Sequence, residues 1–560
     1  MNTKALKPHE RFFKLLENHK SDLWNLLFLS LLAGIISLSL PLGLQAMVNF
    51  IVMGRVSASW VILLILIVLG ILADGILQIN QMRIIENVQQ HIFVNSAVDF
   101  AFRLPKIDTS KLKEYPLADL SNRFIDTFTL QKSLTKILTG LPMAIFQLFF
   151  GVIVLGIYNT SFLIGGVLLI IITYFALRLT FKKALATSIN ESSYKYKLLY
   201  FLQNLAKMDR EFKSNPYEEV SLKATDSITA KYLLERNKHF FWLIWQYRIF
   251  LIFRVLVVLM LLLGGALLLM QEQINLGEFV AAEIIILMMI SASEKVILNY
   301  ESIFDLLTSL DKIGQVMDIN TEQETVYKAS SILDESKSPI AIHIKSLRLD
   351  DNLAIDDIVL ESNKRYWFKG LSLNESETLI ANLSGIELDE KAEIYLDDTL
   401  MTHRNPLYLR KRIKILAEDA KLLERLSIEE NIVFGRDLSD EHLKETLEKT
   451  SILKYLNQNG LTLTDTVKSD CNGELRMLIA LCRILITKPE FILITNKALW
   501  YLAQYKGLLE SLLANAQGII YFSNSSEMLE QADVILEKRD QNIHVFANKN
   551  DFLKGGSDNA

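Results

Sequence analysis

The sequence predicts a multi-pass α-helical membrane domain fused to a soluble, cytosolic α/β domain. The apolar runs that are long enough to cross a bilayer, about 20 residues each, all lie before residue 300. From Ile340 onward, short β-like runs alternate with helical stretches, which is the pattern of an α/β domain. The mean hydropathy of +0.25 and the hydrophobic content of 51% support a membrane-embedded part.

Six apolar runs are the candidate membrane spans, and they form three pairs. The connector within each pair is short, whereas the connectors between pairs, residues 82–137 and 181–248, are long, charged and helical in pattern. Lys and Arg concentrate in the N-terminal segment and the long connectors, so the positive-inside rule predicts that these parts and the C-terminal half face the cytosol. The predicted spans are residues 23–51, 59–81, 138–158, 161–180, 249–270 and 276–292.

Composition excludes several classes of protein. The net charge of −5, from 59 Lys and Arg against 64 Asp and Glu, gives no basic field, so we expect no nucleic-acid partner. Two cysteines, Cys471 and Cys482, are too few for a disulfide framework or a multi-cysteine metal site. The eight histidines are scattered without ligand spacing, so the sequence predicts no metal site.

The local amino-acid composition predicts the boundaries of the remaining segments. Residues 5–20 are amphipathic and basic, which predicts an interfacial helix before the first span. The predicted organisation is an interfacial N-terminal segment over residues 1–22, a six-helix transmembrane domain with cytosolic helical connectors over 23–318, a linker over 319–339, the α/β domain over 340–548 and a tail over 549–560. The predicted strands are Ala341–Leu349, Arg365–Phe368, Ile413–Leu416, Phe491–Ile494 and Gly518–Phe522.

Four segments carry a resemblance to a known family. They are Pro41 with Gln45 and Asn49, then Pro116–Arg123, Leu307–Ile319 and Ser427–Gly435. The first resembles the proline–glutamine–acid pattern of type 1 (haemolysin-like) secretion exporters. The others resemble the stretch near the first coupling helix, the helix leading to the nucleotide-binding domain, and the "S-I-x-E-N-I-x-F-G" stretch of that domain. With the topology, these segments resemble an ABC exporter half-transporter over nearly the whole chain.

The resemblance implies a fold and a set of partners. The fold is a six-helix membrane domain of the ABC exporter type fused to a cytosolic, P-loop-like nucleotide-binding domain. The partners are a second half-transporter, identical or different, in a bacterial-type inner membrane. A periplasmic adaptor and an outer-membrane channel are further expected partners. In this family each ATP site joins the P-loop of one chain to the signature motif of the other.

The segment that matches the P-loop lacks the residues that bind phosphate. A P-loop uses glycines for close backbone approach, a lysine for the β- and γ-phosphates and a Ser or Thr for Mg²⁺. Here Glu375 stands at a glycine position, Ser376 at the lysine position and Glu377 at the Mg²⁺ position. The residues of this window that we single out are Gly370, Ser372, Glu375, Ser376, Glu377 and Thr378. Glu375 and Glu377 are interpreted as part of a relaxed, solvated loop, with an acidic docking loop as the alternative.

The other nucleotide motifs depart from the family pattern in the same way. Thr495 and Asn496 follow the predicted Walker B strand, where an aspartate and a catalytic glutamate are expected. The signature motif aligns with Asn472, Gly473 and Glu474, and keeps one glycine. Glu418 aligns with the glutamine of the Q-loop, and Asn524 with the switch histidine.

We therefore expect a folded domain without nucleotide chemistry or ATPase activity. The expected function is a structural or gating subunit of a type 1 secretion-like export complex, with no cofactor. A partner chain cannot complete either ATP site, because this chain lacks both halves. One alternative is an ATP-driven exporter of protein, peptide or lipid with non-consensus motifs, which would bind ATP and Mg²⁺. A second alternative is a proton-coupled transporter.

Charged residues within the spans are the candidates for a translocation pathway. Asp74 lies in span two, Glu283 in span six and Arg254 near the start of span five. Such residues are costly in a bilayer, so a functional role is a standing hypothesis. Asp74 or Glu283 would titrate, with Arg254 as the counter-charge. The alternative is that these residues form ion pairs between helices or face a water-filled vestibule.

Overall fold

The computed structural model divides the chain into two compact units, Met1–Thr321 and Glu322–Ala560. The structure describes residues 7–52, 58–107, 117–214, 218–319, 321, 340–350, 353–404, 406–417, 420–450, 452–468, 471–504, 512, 517–525 and 529–555. Glu418, Pro116 and most of the predicted linker lie outside the described residues.

The described residues of the N-terminal unit are almost entirely helical. Within its described residues, six helical segments are long and apolar enough to cross a membrane, and each contains one predicted span, which confirms the predicted membrane domain. The helices are α1 (Pro8–Asn18), α2 (Lys20–Ile36), α3 (Ser39–Val52), α4 (Ala58–Arg103), α5 (Leu117–Ser121), α6 (Asp126–Tyr158), α7 (Thr160–Lys207), α8 (Asp209–Ser214), α9 (Glu218–Met270), α10 (Leu276–Leu298) and α11 (Tyr300–Met317).

Most of the described residues in the long connectors between span pairs belong to continuations of the membrane helices. Helix α4 has 46 residues, which at 1.5 Å per residue gives about 69 Å, more than twice the hydrocarbon thickness of about 30 Å. Helix α7 is similar with 48 residues, and it packs along α9. Asn159 is the single extended residue between α6 and α7. Its side chain caps α7 by accepting a hydrogen bond from Ser161 N–H.

The N-terminal helix packs against α11. Phe12 and Leu15 lie on the core cluster that includes Leu306 and Leu310 of α11. Arg11 also forms an ion pair with Asp318, the residue directly after α11. Part of the amphipathic face of α1 therefore packs against α11 and the residue that follows it.

The C-terminal unit contains a four-stranded antiparallel sheet and a six-stranded, mostly parallel sheet among its described residues. The strand orders are β2-β1-β4-β5 and β10-β9-β3-β8-β7-β6. The strands are β1 (Ala341–Arg348), β2 (Ala354–Glu361), β3 (Arg365–Lys369), β4 (Glu393–Leu396), β5 (Thr399–Leu400), β6 (Ile413–Leu416), β7 (Phe491–Ile494), β8 (Gly518–Phe522), β9 (Val534–Arg539) and β10 (Asn542–Phe546). The helices are α12 (Leu373–Ser384), α13 (Pro406–Arg412), α14 (Ile428–Val433), α15 (Asp440–Lys449), α16 (Ile452–Gln458), α17 (Gly473–Leu485), α18 (Asn496–Gln504) and α19 (Lys549–Gly555).

The central strands are buried on both faces. Alternate residues of β3 enter two cores, because side chains along a strand point to opposite faces. Trp367 packs with Tyr521 and the α17 residues, whereas Phe368 packs with Phe522 and the residues of α12. Burial on both faces explains the continuous apolar runs from which β3, β7 and β8 were predicted.

Candidate functional site

The loops after β3, β7 and β8, which carry the P-loop, Walker B and switch positions, begin at one edge of the six-stranded sheet. Phe368 of β3 lies opposite Phe522 of β8, and Ile494 of β7 lies opposite both Tyr521 of β8 and Leu416 of β6. These strands are parallel and in register, so their carboxyl ends share an edge. Ligands of open α/β sheets bind outside the carboxyl ends of the strands. The edge is therefore the candidate site.

Gly370 and Asn524 are brought together at this edge. The Gly370 N–H donates to Asn524 Oδ1 at 2.9 Å, which joins the loop after β3 to the loop after β8. Gly370 has φ +84°, and a Cβ there would lie 3.2 Å from the Lys538 carbonyl oxygen. The turn therefore requires glycine. The residue at the switch-histidine position holds this backbone turn in place.

Helix α12 begins with a capping box that places a carboxylate at its N-terminus. Ser372 is the N-cap, and its hydroxyl accepts from Glu375 N–H at 3.3 Å. In return, Glu375 Oε2 accepts from Ser372 N–H at 2.7 Å. This reciprocal pair satisfies two of the free N–H groups of the first turn. The Glu375 carboxylate thus lies at the positive end of the helix dipole.

A lysine of strand β9 neutralises the Glu375 carboxylate. Lys538 Nζ of β9 lies 2.5 Å from Glu375 Oε1, and the Glu375 side chain is only 3% exposed while that of Lys538 is 25% exposed. The prediction of a solvated loop is wrong for Glu375, because its carboxylate is buried by the capping box and the ion pair. Glu377, two residues later, is exposed as predicted.

Glu537, the neighbour of Lys538 in β9, belongs to a separate small charged network that sequence analysis missed. Glu537 Oε1 accepts from Lys369 Nζ at 2.8 Å, and its Oε2 accepts from Arg539 Nε at 2.7 Å. Burial opposes ionisation of Glu537, but these two cations lower its pKa below the ordinary value. The charged run 537–539, which directly follows the apolar residues 534–536 within β9, was the sequence signal for this network.

The hydroxyls of the P-loop segment are used inside helix α12. Ser376 Oγ donates to the Leu373 carbonyl at 2.8 Å, and Thr378 Oγ1 donates to the Asn374 carbonyl at 2.9 Å. Ser376 therefore offers neither the charge nor the reach of the lysine at its position in a P-loop.

At the Walker B position the polar residues serve the backbone. Thr495 N–H donates to the Leu416 carbonyl at 3.2 Å, and Thr495 Oγ1 accepts from Ala498 N–H at 3.3 Å at the start of α18. Asn496 is exposed. The end of β7 therefore presents a hydroxyl and an amide where the family motif has two carboxylates.

The signature-like segment is built into the start of α17. Asn472 Oδ1 accepts from Glu474 N–H at 3.3 Å, and Asn472 Nδ2 donates to the Tyr455 hydroxyl at 3.4 Å. A Cβ on Gly473 would lie 2.5 Å from the Tyr501 hydroxyl, so this glycine allows a close side-chain approach. Burial and the nearby Glu474 carboxylate raise the pKa of Tyr455. Packing within the chain thus accounts for the retained glycine.

The structure separates the three charged candidates of the spans. Asp74 Oδ2 accepts from Gln78 Nε2 at 2.8 Å. Arg254 Nη1 pairs with Glu294 Oε2 at 3.2 Å, so its counter-charge is a residue that sequence analysis did not single out. Glu283 makes no hydrogen bond or ion pair with any residue that the structure describes. Arg254 is therefore not the counter-charge of Asp74 or Glu283, so the pairing in the translocation-pathway hypothesis is wrong. Its contact with Glu294 is an ion pair between α9 and α10, as the alternative predicts for Arg254.

Comparisons with known proteins agree with the fold. No protein-family model matches the sequence. The chain is 25% identical over 275 residues to a protein of Rickettsia felis named as an export ATP-binding/permease protein, and 24% identical to one of Rickettsia conorii with the same kind of name. Each match covers 44% of this chain and 45% of the relative, so it spans under half of the relatives' length.

A solved structure matches over almost the whole chain. A bacterial Atm1-family ABC exporter with ATP bound superposes with a TM-score of 0.80, covering 95% of this chain and 97% of that one, at 15% sequence identity. This chain therefore has the fold of an ABC exporter half-transporter, with a helical membrane domain and an α/β domain of the nucleotide-binding type.

Proposed function

We propose that the protein is an inner-membrane, ABC-exporter-like subunit whose C-terminal domain neither binds nor hydrolyses ATP. The observation that carries this proposal is the buried Glu375 carboxylate at the N-terminus of α12, held by Ser372 and Lys538. A P-loop places a phosphate at the N-terminus of the corresponding helix. In this chain a carboxylate of the protein takes that role and a protein cation neutralises it.

The electrostatics of this arrangement disfavour a nucleotide. One pair of like charges 4 Å apart costs about 4 kcal/mol at an effective dielectric constant of 20. At about 1.4 kcal/mol per decade, a full repulsion of that size would lower affinity by roughly three decades, and the Lys538 ammonium offsets part of it. The helix N-terminus returns about 0.3–1 kcal/mol, and the carboxylate already uses it. Ser376 contributes no compensating charge. A triphosphate with Mg²⁺ therefore does not fit these residues.

Hydrolysis would lack its machinery even if a nucleotide bound. Neither Thr495 nor Asn496 can act as a carboxylate base or hold the metal through a carboxylate. Pairing two copies of the chain joins a P-loop without its lysine to a signature segment with one glycine. Pairing with an intact half-transporter leaves each composite site with one incomplete half. We infer that a partner chain does not restore turnover in either assembly.

The role left to such a subunit is structural or gating, within a type 1 secretion-like export complex. Gln45 of the first span, part of the resembling motif, accepts from the Tyr158 hydroxyl at 2.6 Å. Asn49, one turn later, lies directly against Gly277 at the start of α10. These contacts tie the outward ends of three span segments together. An outer end connected in this way suits the anchoring of a periplasmic adaptor.

The test is ATP turnover by the full-length wild-type protein in lipid nanodiscs, beside a variant in which the P-loop is rebuilt. The rebuilt variant carries Glu375→Gly, Ser376→Lys and Glu377→Thr. We expect no turnover from either protein, because Thr495 and Asn496 are unchanged. We expect measurable ATP binding only in the rebuilt variant. Mg-ATP hydrolysis by the wild type would overturn the proposal and favour an ATP-driven exporter.

The names of the Rickettsia relatives favour that alternative, since those relatives are named export ATP-binding/permease proteins. The relatives and this chain share 24–25% identity over less than half of their lengths, so ATP-driven export is the alternative candidate for this chain.

A second test addresses the structural role directly. A periplasmic adaptor should co-purify with the wild-type protein in the absence of nucleotide, and its absence from a crosslinked membrane preparation would count against an anchoring role.

A further inference from the structure

One face of helix α7 changes from apolar to basic where the fourth predicted span ends. Side chains spaced three or four positions apart lie on the same side of a helix. The exposed residues between positions 174 and 183 follow this spacing, and we call them the basic face of α7: Tyr174, Phe175, Arg178, Leu179, Lys182 and Lys183. Neither the nucleotide motifs nor the predicted pathway residues account for this face.

The opposite side of α7 is the one that packs against α9. Thr180 Oγ1 accepts a hydrogen bond from Gln246 Nε2, and the Ala184 carbonyl lies 3.1 Å from His239 Nδ1. Thr180 and Ala184 are both buried. The basic face lies on the other side of α7 and remains exposed among the described residues.

The cations of the basic face have no counter-charge within the described part of the chain. Arg178, Lys182 and Lys183 form no ion pair with a residue that the structure describes. The sequence contains no Asp or Glu between residues 160 and 190 of α7 or between residues 236 and 270 of α9. Lys183 Nζ lies 4.8 Å from the centre of the Trp242 ring of α9, a cation–π contact that positions the ammonium without neutralising it.

The three cations lie at the depth of the lipid headgroups. The fourth predicted span ends at residue 180, so Lys182 and Lys183 follow it by about 3–5 Å at 1.5 Å per residue. Each headgroup layer is about 5–8 Å thick beside a hydrocarbon core of about 30 Å. Arg178 lies one turn earlier, and a long cationic side chain can extend from the core into that layer. This end of the span is the one that the positive-inside rule predicts to be cytosolic.

We propose that the basic face of α7 binds an anionic phospholipid of the predicted cytosolic leaflet. The lipid phosphate accepts hydrogen bonds from Lys182, Lys183 and the Arg178 guanidinium, which are charge-assisted contacts. The acyl chains lie along the apolar part of the same face, which is continuous with the cations. A zwitterionic lipid fits less well, because its ammonium would approach three cations and find no carboxylate to pair with.

The proposal goes beyond the proposed loss of ATP chemistry and does not rest on it. Every group that it uses lies in the N-terminal unit, whereas the nucleotide motifs lie in the C-terminal unit. Failure of one proposal would therefore leave the other untouched.

The test is lipid retention by the full-length protein, measured by native mass spectrometry. The probes are phosphatidylglycerol and phosphatidylethanolamine with identical acyl chains, so that only the headgroups differ. One double variant, Lys182→Gln with Lys183→Gln, removes two charges, and a second, Lys182→Arg with Lys183→Arg, keeps them. The matched control is Lys207→Gln, an exposed lysine about 36 Å further along α7 from Lys183. Thermal unfolding of each variant reports whether it is folded.

We expect the wild type to retain phosphatidylglycerol in preference to phosphatidylethanolamine, with a preference that weakens as salt is added. Each neutralised lysine should lower phosphatidylglycerol retention about fivefold, so the glutamine double variant should lose about 25-fold. The arginine double variant and Lys207→Gln should retain phosphatidylglycerol as the wild type does.

Two results would overturn the proposal. The first is the absence of a preference for phosphatidylglycerol in the wild type, or its equal retention by the folded glutamine double variant. The second is a smaller dimer fraction of that variant in the same spectra with unchanged lipid retention, which would assign the basic face to contact with a second chain.

Discussion

Replacing Glu375 by glutamine isolates the charge at the N-terminus of α12. The amide oxygen of Glu375→Gln can still accept from Ser372 N–H, so the substitution removes charge while the cap keeps its shape. A charged hydrogen bond exceeds a neutral one by about 1 kcal/mol, and the helix dipole adds about 0.3–1 kcal/mol. Lys538 also loses its partner, but at 25% exposure it can be hydrated, which limits that loss to about 1 kcal/mol.

The expected destabilisation of the C-terminal unit is therefore about 2–3 kcal/mol, or a fall in its melting temperature of about 5–10 °C. Differential scanning calorimetry of the full-length protein measures it, and hydrogen exchange of the α12 amides localises it. Glu377→Gln is the matched control, because Glu377 is exposed in the same turn and should change stability by less than about 0.5 kcal/mol. Equal effects of the two substitutions would refute the assigned role of Glu375.

Two further predictions concern the same domain. Burial raises the pKa of the Cys482 thiol to about 12, so a maleimide at pH 7 should label Cys471 alone in the native protein and both cysteines after denaturation, as counted by mass spectrometry. The neighbouring cations, acting against burial, lower the pKa of Glu537 from 4.5, so its ionised form stabilises the fold above pH 4.5 and that stability is lost as pH falls through the folded pKa. Glu537→Gln should flatten the pH dependence of the melting temperature below pH 4.5; an unchanged slope would contradict the assignment.

Strands that are buried on both faces have continuous apolar sequences, which made them predictable. Phe491–Ile494 and Gly518–Phe522 are apolar along their whole length because both faces are covered, and both are strands. Strand β2 was missed because Asp356 and Asp357 interrupt its apolar residues. That strand belongs to the antiparallel sheet, where charged residues can point away from the core while Ile355 and Leu360 point into it.

The sequence predicted which residues occupy the candidate site but not which of them contact each other. Sequence located the altered motif positions, since each is a local departure from a pattern. The pairing of Glu375 with Lys538 joins residues 163 positions apart and depends on β9 lying beside β3 in the sheet. No local pattern encodes that adjacency. For the same reason, the pairing of Arg254 with Glu294 became visible only once α9 and α10 were placed together.

Nucleotide binding by the wild-type protein in lipid nanodiscs, titrated to several millimolar ATP with and without Mg²⁺, tests the central claim most directly. The buried carboxylate at the N-terminus of α12 and the absence of a lysine at position 376 predict no saturable binding under either condition. Saturable, Mg²⁺-dependent binding accompanied by turnover would contradict the account of Glu375, Thr495 and Asn496.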